Sequence, residues 1–106
     1  VVAQPQNKFT HKALLTLGEI YQNIGKNVRA IITYKRILLS ADRQTTVQLA
    51  QRSLMKLHFD QEEYDSASTY AKILLEEEAI DVGLWEQAHL ILAKTNFQKE
   101  NYSEIK

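Results

Sequence analysis

The sequence predicts an all-α fold of about five to six helices, arranged as antiparallel hairpins, and three observations lead to this prediction. Apolar residues recur at intervals of three and four along most of the chain, the spacing that places them on one face of a helix. No stretch keeps the alternation of a half-buried strand for more than a few residues, and no Asn-Gly or Asp-Gly marks a β-hairpin. The pattern also repeats after 37 and 38 residues, a period typical of stacked helix pairs.

The first helix pair is predicted between Phe9 and Leu38. One apolar stripe runs from Phe9 to Ile24 and stops at Gly25, which can adopt the left-handed conformation that ends a helix. A second stripe runs from Ala30 to Leu38. Because only about three residues join the two stripes, we expect the helices to lie antiparallel.

Two further pairs are predicted by the same reasoning. The second joins stripes at residues 49–58 and 64–75 through a turn at 60–62. The third begins with a stripe at 84–93, turns at 98–101, and ends one turn into its second helix.

The repeats are most easily compared at the positions that match in all three. Leu17, Leu54 and Leu92 superpose, as do Ala30, Ala67 and Ile105, and Asn27, Tyr64 and Tyr102. The whole chain is thus one domain, with repeats at approximately 8–44, 45–82 and 83–106, the last of them truncated. We expect Gly18 to lie against Ala30 and to let the two helices approach closely.

These residues resemble the tetratricopeptide repeat (TPR), in which a Leu-Gly pair and a Tyr in the first helix precede an Ala and an aromatic residue in the second. Leu17-Gly18, Tyr21, Ala30 and Tyr34 match that order. The repeats are longer than usual for the family and are similar to those of bacterial cell-envelope members. Membership would imply a right-handed superhelical stack, a TPR-like α-α solenoid, with a concave groove lined by the first helix of each pair.

The resemblance also implies which residues line that groove and bind a partner peptide or helix. The partner-binding candidates are Lys12, Glu19, Asn23, Arg52, Lys56, Phe59, Lys94 and Phe97. The same face would include Leu15, Gln22, Leu49, Ser53, Asp60, Gln87, Leu90, Ile91 and Gln98. Aromatic residues and Arg are enriched at the centres of protein interfaces. The alternative is that Phe59 and Phe97 pack sideways between hairpins, beside ordinary surface charges.

No motif indicates catalysis, and we expect a non-enzymatic protein without a cofactor or metal. His58 lies four residues before Glu62, but a third ligand is missing from this pattern. His89 is expected to be buried at a helix interface, and His11 stands alone near the start of the first helix.

Charge and hydropathy restrict the partners further. Thirteen basic and thirteen acidic residues give a formal net charge of zero, so the general attraction needed for nucleic-acid binding is absent. The longest aliphatic stretches fall far short of the ~20 residues that span a bilayer, which excludes membrane insertion. We expect a soluble chain, either cytoplasmic or periplasmic, with the cell-envelope resemblance favouring the periplasm.

The function that these observations favour is a protein-interaction scaffold or adaptor. A carboxylate clamp like that of chaperone-binding TPR proteins is not expected, because Leu15 and Glu19 occupy the places of its Lys and Asn. Two alternatives stay open. The chain could be a segment of a longer TPR protein that forms homo-oligomers through an exposed terminal helix, or a regulatory domain of a multidomain protein.

Overall fold

The computed structural model describes the backbone of residues 8–105 and the side chains of residues 10–100. Within that range the regular secondary structure is entirely helical, which confirms the predicted all-α class. The five helices are α1 (Lys8–Asn23), α2 (Asn27–Ser40), α3 (Gln44–Asp60), α4 (Tyr64–Leu75) and α5 (Val82–Ile105). The side chains of Phe9, Tyr102 and Ile105, which the repeat pattern used, lie outside the described residues.

The chain divides into two compact units, Val1–Ala50 and Gln51–Lys106, so that the boundary falls within α3. The first unit contains α1, α2 and the beginning of α3. The second contains the rest of α3 together with α4 and α5.

In the first unit, Gly25 ends α1 as predicted. Its φ of +82° lies in the left-handed region, where a residue without a Cβ is not strained. The N–H of Lys26 donates to the carbonyl of Tyr21, and the N–H of Gly25 donates to that of Gln22. This pair of bonds is the Schellman motif, which satisfies the last carbonyls of a helix and reverses the chain.

Gly18 on α1 lies against the ring of Tyr34 on α2, one helical turn after Ala30. The expected contact of Gly18 with Ala30 itself stays a prediction. A Cβ built on Gly18 would lie 2.6 Å from Tyr34 Cε1, and the Tyr34 side chain is completely buried. The Tyr34 hydroxyl donates a hydrogen bond to Gln22 Oε1 at 2.9 Å. At the other end of the pair, His11 Nε2 lies 3.2 Å from Ser40 Oγ. Contacts between the start of α1 and the end of α2 confirm that these helices are antiparallel.

The face of α1 that is buried does not coincide with the whole apolar stripe predicted for this helix. Leu17, Ile20 and Ile24 were expected in the core but are 37%, 48% and 59% exposed. Because the Tyr34 ring lies against Gly18, the contact between α1 and α2 is centred on the face of α1 that carries His11 and Gly18. The predicted apolar stripe lies on the neighbouring face, at the margin of that contact.

The second unit repeats the first reversal with a different residue. The N–H of Glu63 donates to the carbonyl of His58, and that of Glu62 donates to Phe59, which is again a Schellman motif. Glu62 takes the left-handed place of Gly25, with a φ of 63°. Lys26 and Glu63, the residues that follow, share nearly the same backbone angles: φ −89° and ψ 71° against φ −92° and ψ 72°.

The two reversals are 37 residues apart, and the same interval relates buried residues in the helices that follow them. Ala30 and Ala67, Tyr34 and Ala71, and Ile37 and Leu74 form three equivalent pairs, and all six side chains are fully buried. The repetition read from the sequence is therefore present in the backbone and burial of the first two hairpins.

The core of the second unit joins side chains from α3, α4 and α5. Its buried members are Met55, Ala67, Ala71, Leu74, Leu84, Ala88 and Ile91. At the margin, Lys99 Nζ pairs with Asp65 Oδ1. The hydrogen bond from Lys99 and its positive charge lower the pKa of the Asp65 carboxyl. The pair joins the start of α4 to the late part of α5, as antiparallel packing requires.

The turn predicted at residues 98–101 is wrong, because α5 runs without a break from Val82 to Ile105. Gln98, Lys99 and Glu100 are good helix formers, and neither Gly nor Pro interrupts them. The third helix pair is therefore replaced, within the described backbone, by one long helix.

Gly18→Ala should lower the free energy of unfolding by about 1–3 kcal/mol, because the added methyl group overlaps the buried Tyr34 ring. Urea denaturation followed by circular dichroism measures this loss. Thr16→Ala, an exposed change on the same helix, is the matched control and should alter stability by less than about 0.5 kcal/mol. A Gly18→Ala protein as stable as the control would contradict the close packing described here.

The two reversals should respond oppositely to substitution at the left-handed residue. Glu62→Gly should raise the free energy of unfolding by about 0.5–1 kcal/mol, because glycine adopts the observed φ without strain. Gly25→Ala should lower it by about 1 kcal/mol, although no atom lies within 4 Å of the added Cβ. Urea denaturation of both variants tests the pair; a loss of stability in Glu62→Gly would show that the Glu62 side chain outweighs its backbone strain.

Candidate functional site

Within the second unit, α3 and α5 run side by side and parallel. Arg52 Nε donates to Gln87 Oε1 at 2.7 Å. Further along, Lys94 Nζ lies 5.9 Å from the centroid of the Phe59 ring. Both pairs are separated by 35 residues in sequence, so the two helices keep one register along their contact.

A shallow cleft of about 270 Å³ lies between these helices and is here called the α3–α5 cleft. It is lined by Lys56, Phe59, Asp60, Gln87, Leu90, Ile91 and Lys94. Ile91 belongs to the core and forms part of the apolar floor, while Leu90 is 53% exposed. The cleft thus continues the hydrophobic core outward to a surface that solvent reaches.

The two aromatic candidates differ in their packing. Phe59 is half-buried, packs against the core cluster and meets Tyr64 edge-on, with ring centroids 5.5 Å apart. Phe97 lies one helical turn after Lys94 on α5 and is 63% exposed. The alternative of sideways packing therefore describes part of the environment of Phe59 but not that of Phe97.

The charges of the cleft are mostly positive. Lys56 on α3 and Lys94 on α5 are both exposed, and among the described residues neither forms an ion pair. Asp60, at the end of α3, is the one acidic residue of the lining. The half-buried guanidinium of Arg52 closes the other end of the cleft through its bond to Gln87.

The structure brings together four of the eight predicted partner-binding residues. Arg52, Lys56, Phe59 and Lys94 lie at the α3–α5 cleft or at its end, and Phe97 follows on α5. Lys12, Glu19 and Asn23 lie on an exposed face of α1 in the first unit. For those three, a role in partner binding stays a prediction.

The sequence did not indicate how the cleft is supported. The bond between Arg52 and Gln87 joins residues on helices that are not adjacent in sequence, and Tyr64 supports Phe59 from the first turn of α4. The equal separation of 35 residues in the pairs Arg52–Gln87 and Phe59–Lys94 could have indicated these contacts. That separation predicts a contact only when α3 and α5 are already known to be parallel.

His58 is buried, and its carboxylate partner is Glu63. Its Nδ1 lies 2.7 Å from Glu63 Oε1, because the left-handed conformation of Glu62 directs the next residue back over α3. The ring stacks on Tyr70 with the centroids 5.8 Å apart, and burial raises the pKa of the Tyr70 hydroxyl. Nε2 of His58 is buried without a hydrogen-bond partner among the described residues.

The other two histidines differ from expectation. His89 is exposed rather than buried, since the face of α5 that enters the core runs through Leu84, Ala88 and Ile91. Its ring meets the exposed Trp85 edge-on, with centroids 4.2 Å apart. His11 is not isolated but buried beside Ser40.

Neither a metal-binding cluster nor a membrane-spanning helix occurs within the described residues. No group of three or more His, Asp or Glu side chains is placed to hold a metal ion in that part of the chain. No helix there combines the length and the apolar character needed to cross a membrane.

Substituting the two phenylalanines one at a time should show that the Phe59 side chain stabilises the fold and that the Phe97 side chain does not. Phe59→Ala should lower the free energy of unfolding by about 2 kcal/mol, because the ring packs against the core and Tyr64. Phe97→Ala should change it by less than about 0.5 kcal/mol, because most of that ring is exposed. Urea denaturation measures both; equal losses would contradict the difference in packing.

Comparison with known protein families, with curated proteins and with solved structures finds no match to this chain. The likeness to tetratricopeptide repeats thus stays a resemblance carried by residues.

Proposed function

We propose that this protein is a non-enzymatic interaction module that binds a peptide segment or helix of a partner protein in the α3–α5 cleft. The observation that carries the proposal is an apolar floor that stays open to solvent between two lysines that form no ion pair with any described residue. Exposed apolar area next to charged rims is typical of surfaces that bind other proteins.

The cleft is suited to binding because its walls are already ordered. The Arg52–Gln87 bond joins α3 to α5, and the packing of Phe59 on Tyr64 fixes one wall. A ligand that meets a preorganised surface loses less free energy to ordering that surface. Leu90 and Phe97 then offer apolar area that a partner can cover.

Membership of the tetratricopeptide family, and the right-handed stack it implies, form part of this proposal. The 37-residue interval between two equivalent Schellman turns supports it, as does the burial of equivalent residues after each turn. In that family the first helices of successive repeats line a shared groove, which is the role that α3 and α5 would have here.

Self-assembly is the second candidate, and a different face of α5 favours it. Val82 and Trp85 are 72% and 47% exposed, and the helical positions of Trp85 and His89 direct them away from the cleft. An exposed aromatic side chain on a long helix is suited to packing against a second copy.

Photo-crosslinking from single positions tests the proposal without disturbing the core. A benzophenone amino acid placed at Leu90 or at Phe97 should give a covalent adduct with a partner protein in the cells that make this chain. The same probe at Leu39, which is 89% exposed and lies in the first unit, is the matched control. We expect adducts from the cleft positions and few or none from the control, because binding energy and close contact concentrate at the centre of an interface.

The mass of each adduct separates the two candidates. An adduct between two copies of the chain, strongest from a probe at Trp85, would replace the cleft proposal with self-assembly. Adducts that form equally from Leu39 and Leu90, or none from the cleft, would contradict binding in the cleft.

A further inference from the structure

The lysines of the cleft restrict the chemistry of its ligand, an inference that rests on the proposed function. Lys56 and Lys94 stand on opposite walls, and no described acidic residue lies within ion-pair distance of either one. Asp60 is four residues after Lys56 on α3 but forms no ion pair with it. The order Lys before Asp is the less favourable one along a helix.

The register of the helices gives the levels at which the two lysines leave the backbone. With the 35-residue offset of Arg52 and Gln87, Lys56 is level with Ile91, and Lys94 is level with Phe59. The backbone positions of the two lysines therefore differ by about one helical turn, or ~5 Å, along the cleft axis. Leu90, Ile91 and Phe59 form the apolar surface between them.

A ligand that covers this apolar surface must also take water from the lysines. An ammonium group that loses hydration without gaining a counter-charge costs free energy, so an uncharged ligand binds at a disadvantage. A basic ligand is repelled by both walls. A nucleic-acid backbone would match the charges but offers no aliphatic group for Leu90 and Ile91.

Asp60 determines which end of the cleft an acidic group of the ligand avoids. Its carboxylate stands at the end of α3, where the helix dipole is also negative, and both disfavour an acidic group at that end. Lys56 lies one helical turn before Asp60, on the side toward Arg52, and Lys94 stands over the Phe59 ring. An acidic group of the ligand is therefore best placed between Lys56 and Lys94.

We propose that the α3–α5 cleft selects an acidic amphipathic peptide, in which an Asp or Glu lies within about one helical turn of a large aliphatic or aromatic side chain. The apolar side chain covers Leu90 and Ile91, and the carboxylate pairs with Lys56 and Lys94.

Selection from a phage-displayed library of random dodecapeptides tests this specificity with a defined probe. We expect the enriched peptides to carry Asp or Glu within four residues of Leu, Ile, Phe or Trp. The strongest peptide is then synthesised in three forms, with its acidic residue kept, changed to the amide, or changed to Lys. Fluorescence anisotropy measures the Kd of each form.

Two charge-reversal variants complete the design. On the wild type, the amide form should bind about tenfold more weakly than the acidic form, and the Lys form more weakly still. On Lys56→Glu/Lys94→Glu, the Lys form should bind about tenfold better than the acidic form. Lys35→Glu/Lys72→Glu changes the net charge equally at exposed positions outside the cleft and should retain the wild-type order.

The possible failures are distinguishable. If the amide and acidic forms bind equally well, or if the enriched peptides lack acidic residues, the acidic specificity is wrong. If peptides without acidic specificity bind the Leu90→Asp variant more weakly than the wild type, peptide binding in the α3–α5 cleft stands and only the acidic specificity is rejected. If the peptides bind Leu90→Asp as well as the wild type, or if no peptide is enriched, both proposals fail. Circular dichroism confirms that each variant is folded.

Discussion

Reversal of the chain within three residues is the constraint on which both units depend. At Gly25 and again at Glu62, one residue with positive φ lets the following N–H groups satisfy the last carbonyls of the preceding helix. No side-chain cap is formed at Lys26 or Glu63, so backbone hydrogen bonds close both reversals, and at the second one the His58–Glu63 side-chain contact adds to them. The next helix must then return along the previous one, and the buried alanines at positions 30 and 67 follow from that proximity.

The α3–α5 cleft exists because α5 uses only part of its surface in the core. Leu84, Ala88 and Ile91 satisfy the packing against α3 and α4, while Leu90 and Lys94 lie on the adjacent face and remain exposed. Thr95, on the same buried face as Ala88 and Ile91, is fully buried with its hydroxyl unpaired among the described residues. A helix with apolar residues on more than one face has surface left for a partner.

Helical spacing and turn chemistry predicted most of the fold. The spacing of three and four located the helices, and Gly25 marked the first reversal because its conformation has a simple steric cause. The predicted turn at 98–101 failed because it was placed by repeat register alone, against residues that favour a helix. The burial of Leu17 and His89 was misjudged for another reason: apolar spacing identifies a stripe, but the contact that fixes its rotation comes from a distant side chain such as Tyr34. The cleft residues were named through register, whereas their support by Gln87 and Tyr64 depends on tertiary contacts.

The second unit contains contacts between residues close in sequence and contacts between residues far apart in sequence, and these close loops of very different length. His58 reaches Glu63 across five residues, whereas Arg52 reaches Gln87 across 35. Longer loops lose more entropy on closure, so contacts between distant residues form later and more slowly than local ones. The α3–α4 hairpin can therefore form while α5 is still unfolded, with Phe59 already beside Tyr64. The α3–α5 cleft is then the last part of this unit to assemble, and a chain still emerging during synthesis has no cleft until α5 has formed as far as Lys94.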